Sequence, residues 1–306
     1  MDTFLKGTFT ALITPMDESF NVDYEGYKQL LDIQMEAGVN GLVPVGTTGE
    51  SATLSHETHR QVMKFVIDYV KENAGRFGRS FGEDLFVMPG AGSNCTEEAI
   101  ELTTYAESVG AHATLHVSPY YNKPTMEGMK LHFKMISEST NIPFVVYNIP
   151  SRTSKNIDVA TLLEIAKFDN AAGVKEASGD VAQIMKIIQK TRDMNFSVVS
   201  GDDSFTYLVM AAGGNGVISV ASNLVPSRMV ALTKAMLDGD FRTALDMHYQ
   251  LSDLFDAQFI ETSPGPIKYM MAQAGLPAGP LRPPMCLPTP ANQDKIKKVL
   301  KDYNLM

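Results

Sequence analysis

Four short segments carry residue types suited to carbonyl chemistry. The first is Gly173-Val-Lys175-Glu-Ala-Ser-Gly-Asp180. In an extended run, alternation puts Gly173 and Lys175 on one face and Ala172 and Val174 on the other. If the apolar pair meets helices, Lys175 faces an enclosed mouth. Desolvation there disfavours the ammonium form and frees the amine. A free amine attacks a ketone to form a Schiff base. The alternative is a lysine paired with Glu176 or another carboxylate, and on residue type alone that alternative leads.

The second segment is Pro143-Phe-Val-Val-Tyr-Asn-Ile-Pro150. Tyr147 shares a face with Val145, and a phenol at a strand end can shuttle protons to a neighbouring Schiff base. A core tyrosine with a satisfied hydroxyl is the alternative. Just beyond it, Arg152 in Ser151-Arg152-Thr153 offers a guanidinium fork for a carboxylate, unless it is a surface-loop arginine. The third segment, Gly46-Thr-Thr-Gly-Glu-Ser51, sets two hydroxyls and free backbone N–H groups in a glycine turn, which can hold a carboxylate. Its threonines can equally cap the next helix. The fourth, Ser118-Pro-Tyr120-Tyr121-Asn-Lys-Pro124, has paired tyrosines that pack locally or reach a site or a neighbouring subunit.

Other chemistries find less support. His56 and His59 stand three apart with no third ligand in view, so a helical-face pair is expected and no metal site. Asp202 and Asp203 read as capping residues. The chain has no G-x-S-x-G and no P-loop.

Strands and helices must alternate to position these segments. Strands are expected at 8–13, 41–45, 85–89, 113–117, 143–148, 172–175, 197–200 and 216–220. Amphipathic helices are expected at 23–37, 55–71, 96–109, 125–139, 158–168, 180–191 and 204–212. Ser55, Asp158 and Asp180 are plausible N-caps. Such alternation implies βαβ units and a parallel sheet. The first strand lacks a following G-x-G-x-x-G, and Gly90-Ala-Gly92 after the third lacks the last glycine. The expected fold is therefore an α/β protein, a (β/α)8 TIM barrel over residues 1–223. Residues 224–306 then form a C-terminal helical appendage packed on the barrel. Its helices are expected at 226–238, 242–255, 266–274 and 291–302, with a Pro-rich stretch at 276–290. The run 73–84 is expected as a surface loop.

Composition sets the outer bounds. The chain has 306 residues, 44% of them hydrophobic and 20% charged, which is ample for a large core and excludes a disordered chain. A net charge of −9 argues against broad nucleic-acid binding. Cys95 and Cys286 make no disulfide framework, and a reducing, cytoplasmic setting is expected. The start, Met1 to Lys6, shows no secretory pattern. Residues 204–227 are uncharged, but Gly213-Gly-Asn-Gly216 interrupts them, so a buried helix, turn and strand are expected and no membrane span.

Taken together, the segments resemble the dihydrodipicolinate synthase/N-acetylneuraminate lyase family of barrel aldolases. The matching runs are Gly46–Glu50, Tyr120–Pro124, Tyr147–Thr153, Gly173–Asp180, Gly201–Asp203 and Gly216–Ser219. The resemblance implies a cofactor-free class I aldolase mechanism, since the imine itself is the electron sink. Lys175 would form the imine with pyruvate, whose carboxylate the Thr47–Thr48 turn would hold. Tyr147 would transfer protons, with Thr47 and Tyr121 completing a hydroxyl relay and Tyr121 coming from a neighbouring subunit. The carbonyl of Ile218 would line the pyruvate pocket. Arg152 matches the residue that binds L-aspartate 4-semialdehyde, and this implies a condensation in lysine biosynthesis. Other pyruvate aldolases, a metal-dependent class II aldolase and a non-catalytic binding protein are the rivals. The resemblance further implies feedback inhibition by L-lysine through Ser51, Ala52, His56, His59, Asn94, Glu98 and Tyr120, and a homotetramer.

Overall fold

Each of the eight β-branched runs becomes a parallel strand of one curled sheet. The computed structural model describes residues 4–306, so Met1, Asp2 and Thr3, which begin the expected barrel and the N-terminal pattern, lie outside the described residues. The strands are β1 (Gly7–Ala11), β2 (Gly41–Val43), β3 (Phe86–Val87), β4 (Thr114–Val117), β5 (Phe144–Asn148), β6 (Ala171–Glu176), β7 (Ser197–Ser200) and β8 (Gly216–Ser219). Their hydrogen-bonded order is β3-β2-β1-β8-β7-β6-β5-β4. The two ends meet just past β3. There Leu115 N donates to Pro89 O and Ala91 N to Leu115 O, both at 2.9 Å, through a parallel bridge between Gly90 and Leu115. The sheet therefore closes as a TIM barrel, and the Gly90-Ala-Gly92 run supplies its seam. Glycine is required there, because a Cβ on Gly90 would press on the carbonyl of Val45 and one on Gly92 on the backbone of Val117.

The helices between strands are α1 (Tyr24–Ala37), α2 (His56–Asn73), α3 (Thr96–Ser108), α4 (Met126–Glu138), α5 (Pro150–Thr153), α6 (Val159–Ile165), α7 (Val181–Thr191) and α8 (Thr206–Ala211). Ser55, Asp158 and Asp180 cap α2, α6 and α7 by accepting from Thr58, Thr161 and Gln183 N–H. The threonines after β2 are thus not the caps of α2. Residues 150–153, to which the sequence assigned no element, form a turn of helix with Pro150 at its start. A short 3-10 turn, Ala74–Phe77, opens the 73–84 loop. The uncharged stretch 204–227 folds as α8, a turn with Gly213 at φ +103, and β8. Among the described residues no helix is long and apolar enough to cross a membrane.

Four further helices follow: α9 (Pro226–Leu237), α10 (Phe241–Ala257), α11 (Gly265–Gln273) and α12 (Pro290–Asp302). α9 packs on β1, where Thr8 Oγ1 donates to Met229 O at 3.1 Å. Buried side chains of α9–α12, including Met229, Leu254, Met270 and Leu300, form one cluster with Ile13, Leu30 and Val217 of the barrel. Each such side chain contributes about 1.5–3 kcal/mol on burial.

Strand alternation sends Phe9, Val43, Leu115, Val145, Tyr147, Val199 and Ile218 into the barrel interior. One expectation on β6 fails. Ala172 packs with this interior set, whereas Val174 packs with the outer layer of Phe133, Ile184 and Ile187. The cause is a register shift: Phe144 pairs with Ala171 but Val145 with Gly173, so Ala172 is an extra residue and the two-residue period breaks around it.

Candidate active site

Lys175 is the last but one residue of β6, faces the interior and is 4% exposed. Burial drives its pKa down to about 8, opposed by the Asp203 carboxylate and assisted by the Arg152 guanidinium. Glu176 does not pair with it. That carboxylate points to the other side of the strand, accepting from Asn148 Nδ2 at 3.1 Å and Ser178 N at 2.7 Å. Tyr147 is the register partner of Lys175 on β5, and Lys175 Nζ lies 4.2 Å from the centre of its ring. Burial pushes the phenol well above the usual tyrosine range, while the Arg152 charge and a hydrogen bond with the Thr47 side chain oppose the shift.

The turn after β2 faces this pair. Its backbone is unusual: Val45 has φ +49 and Glu50 φ +59. A β-branched residue in the left-handed region is strained, and such strain persists where the surroundings over-determine it. Here Thr14 Oγ1 donates to Gly49 O at 2.7 Å. Glu50 is sealed inside, with Oε1 2.8 Å from Lys268 Nζ and Oε2 accepting from Arg282 N at 2.9 Å. Thr48 is buried and Thr47 half-buried at the site's edge.

A cavity of about 170 Å³ joins Thr47, Thr48, Tyr147, Arg152, Lys175 and Asp202. Arg152 is an exposed residue, but its guanidinium borders this cavity and donates to Ser263 O at 3.0 Å. The two aspartates after β7 part company. Asp202 caps the next turn by accepting from Ser204 N and Oγ. Asp203 is buried, and its Oδ2 accepts from Val220 N at 2.9 Å, Ala221 N at 3.0 Å and Gln258 Nε2 at 2.8 Å. Burial raises its carboxyl above the ordinary range, against these hydrogen bonds. Asp203 thus ties the end of β8 to α10 beside Lys175. Ile218 is fully buried in the barrel interior, and Val220 is the residue after β8 that borders the cavity.

A second cavity of about 350 Å³ adjoins the first, sharing Thr47, Arg152 and Ser263 with it. Six of the seven residues expected to take L-lysine border it: Ser51, Ala52, His56, His59, Glu98 and Tyr120. Asn94 stands behind, donating from Nδ2 to Tyr120 O at 3.1 Å. Glu98 accepts from Ser93 Oγ at 2.7 Å and lies 3.8 Å from His56 Nε2. His59 Nε2 contacts Gly90 O at 2.8 Å, and burial lowers its pKa. Tyr121 borders neither cavity. It is 90% exposed with φ +70.

Sequence reasoning missed Lys268, Arg282 and Gln258. The available signal was Lys268 as the lone charge in the otherwise apolar α11.

Known proteins resemble this chain over nearly its whole length. The sequence profile of the Dihydrodipicolinate synthetase family matches residues 4–303. The 4-hydroxy-tetrahydrodipicolinate synthase of Methanocaldococcus jannaschii is 44% identical over 302 residues, covering 98% of this chain and 99% of the relative. The crystal structure of a chloride-inhibited dihydrodipicolinate synthase from Acinetobacter baumannii, complexed with pyruvate, superposes with TM-score 0.93 at 33% identity over 99% of this chain and 100% of that one. The enzyme from Cyanidioschyzon merolae with lysine bound gives TM-score 0.93 at 34% identity over the full length of both chains.

Proposed function

The chain belongs to the dihydrodipicolinate synthetase family of lyase-type enzymes, and we propose that it condenses pyruvate with L-aspartate 4-semialdehyde in lysine biosynthesis, as a 4-hydroxy-tetrahydrodipicolinate synthase. Lys175 Nζ attacks C2 of pyruvate, and loss of water leaves an imine. The Thr47–Thr48 turn holds the pyruvate carboxylate. A methyl proton leaves, the C–H electron pair moves into the imine, and the resulting enamine carbon attacks the aldehyde. Tyr147 carries protons between these steps, with Thr47 on its phenol. Arg152 holds the carboxylate of the aldehyde substrate.

The observation that carries this reading is the sealed, register-paired Lys175 and Tyr147. With a pKa of about 8, about a tenth of the amine is neutral at pH 7 and about half at pH 8. An ordinary lysine supplies less than about a thousandth at pH 7. The test is incubation with pyruvate, borohydride reduction and peptide mapping. A three-carbon adduct on Lys175 is expected, and an unlabelled protein overturns the reading. Turnover with L-aspartate 4-semialdehyde, against sugar-acid aldehydes, then tests the second substrate.

The second cavity is read as the L-lysine site. Its Glu98 carboxylate suits an ammonium, while Asn94 and Tyr120 can hydrogen-bond a carboxylate. The exposed ring of Tyr121, on left-handed backbone, fits a group supplied to a second copy of the chain within a homotetramer. The two cysteines are free thiols at the surface, which suits a reducing, cytoplasmic setting.

A further inference from the structure

Among the ion pairs of the described residues, Lys268–Glu50 is the pair with both side chains sealed from water, at 0% and 1% exposure. Burying such a pair costs desolvation that its attraction often fails to offset, so stability alone is a weak reason for it. The pair is fully satisfied. Lys268 Nζ donates to Glu50 Oε1, to Thr14 O at 3.1 Å and to Pro280 O at 2.7 Å, using its three donors. Lys268 borders neither cavity, while Glu50 borders the second. Its partner Glu50 closes the strained turn that carries Thr47 and Thr48, and the left-handed backbone at both Val45 and Glu50 needs outside anchors to persist. Those anchors come from residues remote in sequence: Thr14 after β1, Lys268 on α11, and Arg282 beyond it.

We propose that Lys268, acting through Glu50, is a positioning residue for the keto-acid step: the ion pair holds the Thr47–Thr48 turn in the shape that receives a carboxylate beside Lys175. This rests on the assignment of pyruvate to that turn. The C-terminal helices thereby become part of the substrate site without touching substrate.

The test compares the parent chain with the double variant Glu50→Gln/Lys268→Met, which removes both charges and leaves neither buried alone. The readout is the pyruvate concentration giving half-maximal borohydride-trapped adduct on Lys175, beside the KM for L-aspartate 4-semialdehyde at saturating pyruvate. A rise of about fivefold or more in the first, with the second within about twofold of the parent, is expected for lost positioning. A folded double variant whose pyruvate saturation matches the parent overturns the proposal, because a purely structural pair changes the melting temperature and not substrate saturation. Should the double variant not fold, Glu50→Asp answers, because it keeps the charge and draws the carboxylate back from Lys268 Nζ and Arg282 N. A rise of about twofold in half-saturating pyruvate supports the proposal, and unchanged saturation overturns it. A parent chain that traps no pyruvate on Lys175 defeats the functional assignment itself, whereas a parent that labels normally beside an unaffected variant defeats this inference alone.

Discussion

Tyr147 and Lys175 are register partners on adjacent parallel strands, both turned into the barrel, with the lysine nitrogen 4.2 Å from the centre of the tyrosine ring. The pairing ladder, and not a flexible loop, sets their separation, so the proposed nucleophile and proton carrier would keep their geometry without a closing motion. The burial that lowers the lysine's pKa also keeps the phenol protonated.

Removing the proposed nucleophile separates chemistry from fold. Lys175→Ala should trap no pyruvate adduct and lose turnover, while circular dichroism and melting behaviour stay close to the parent. Tyr147→Phe should still form the imine but lose about 10²–10⁴ in kcat, the usual share of a general acid–base group. Rapid-quench trapping separates the two steps.

The pH dependence of imine formation should report the lysine. Trapping rate at low pyruvate should climb through pH 7, reach half its limit near pH 8 and level off above about pH 9. Asp203 favours the ammonium form, so Asp203→Asn should move the inflection to lower pH. A shift upward would show that the carboxylate acts otherwise.

Arg152→Ala should raise KM for L-aspartate 4-semialdehyde by about 10–100-fold, the worth of a charged hydrogen bond, and leave pyruvate trapping unchanged at high pH, where the lysine is neutral with or without the guanidinium. Equal losses for both substrates would place Arg152 in scaffolding instead.

Saturating L-lysine should inhibit turnover of the parent chain, and Glu98→Ala should relieve that inhibition with basal turnover intact. Unchanged turnover of the parent with L-lysine removes the effector assignment.

Acid should unfold the chain through buried imidazoles. Burial lowers His116 to about 3 and His132 to about 4. The unfolded chain therefore binds more protons as pH falls below about 6.5, so stability is complete above that value and drains toward pH 4, by several kcal/mol in order of magnitude. Urea midpoints between pH 7.5 and 4.5 check this, and His132→Gln should flatten the slope.

The sequence displayed whatever depends on near neighbours. Strand alternation placed Lys175 and Tyr147, and hydroxyl or carboxylate residues before apolar runs marked the caps of α2, α6 and α7. It failed at Ala172, because one extra residue reverses the facing of everything before it, and composition does not announce a bulge. The Lys175–Glu176 alternative was undecidable until β6 had a partner strand to set its faces. The contacts of Glu50 with Lys268, and of Asp203 with Gln258, join residues 218 and 55 positions apart. No local rule selects such partners, since burial of each charge makes sense only once the other arrives. Tyr121 is legible as an aromatic residue in a turn, yet nothing within one chain covers it.

The seam between β3 and β4 has a mechanical consequence. β3 is only two residues long, and the ring of strands is fastened there by the Gly90–Leu115 bridge and its flanking hydrogen bonds. The carbonyl of that same Gly90 is gripped by the His59 imidazole, which borders the second cavity. The clasp of the hoop thus reaches the wall of the second cavity, through this bond as well as through Gly92, and a shift of His59 would bear directly on it.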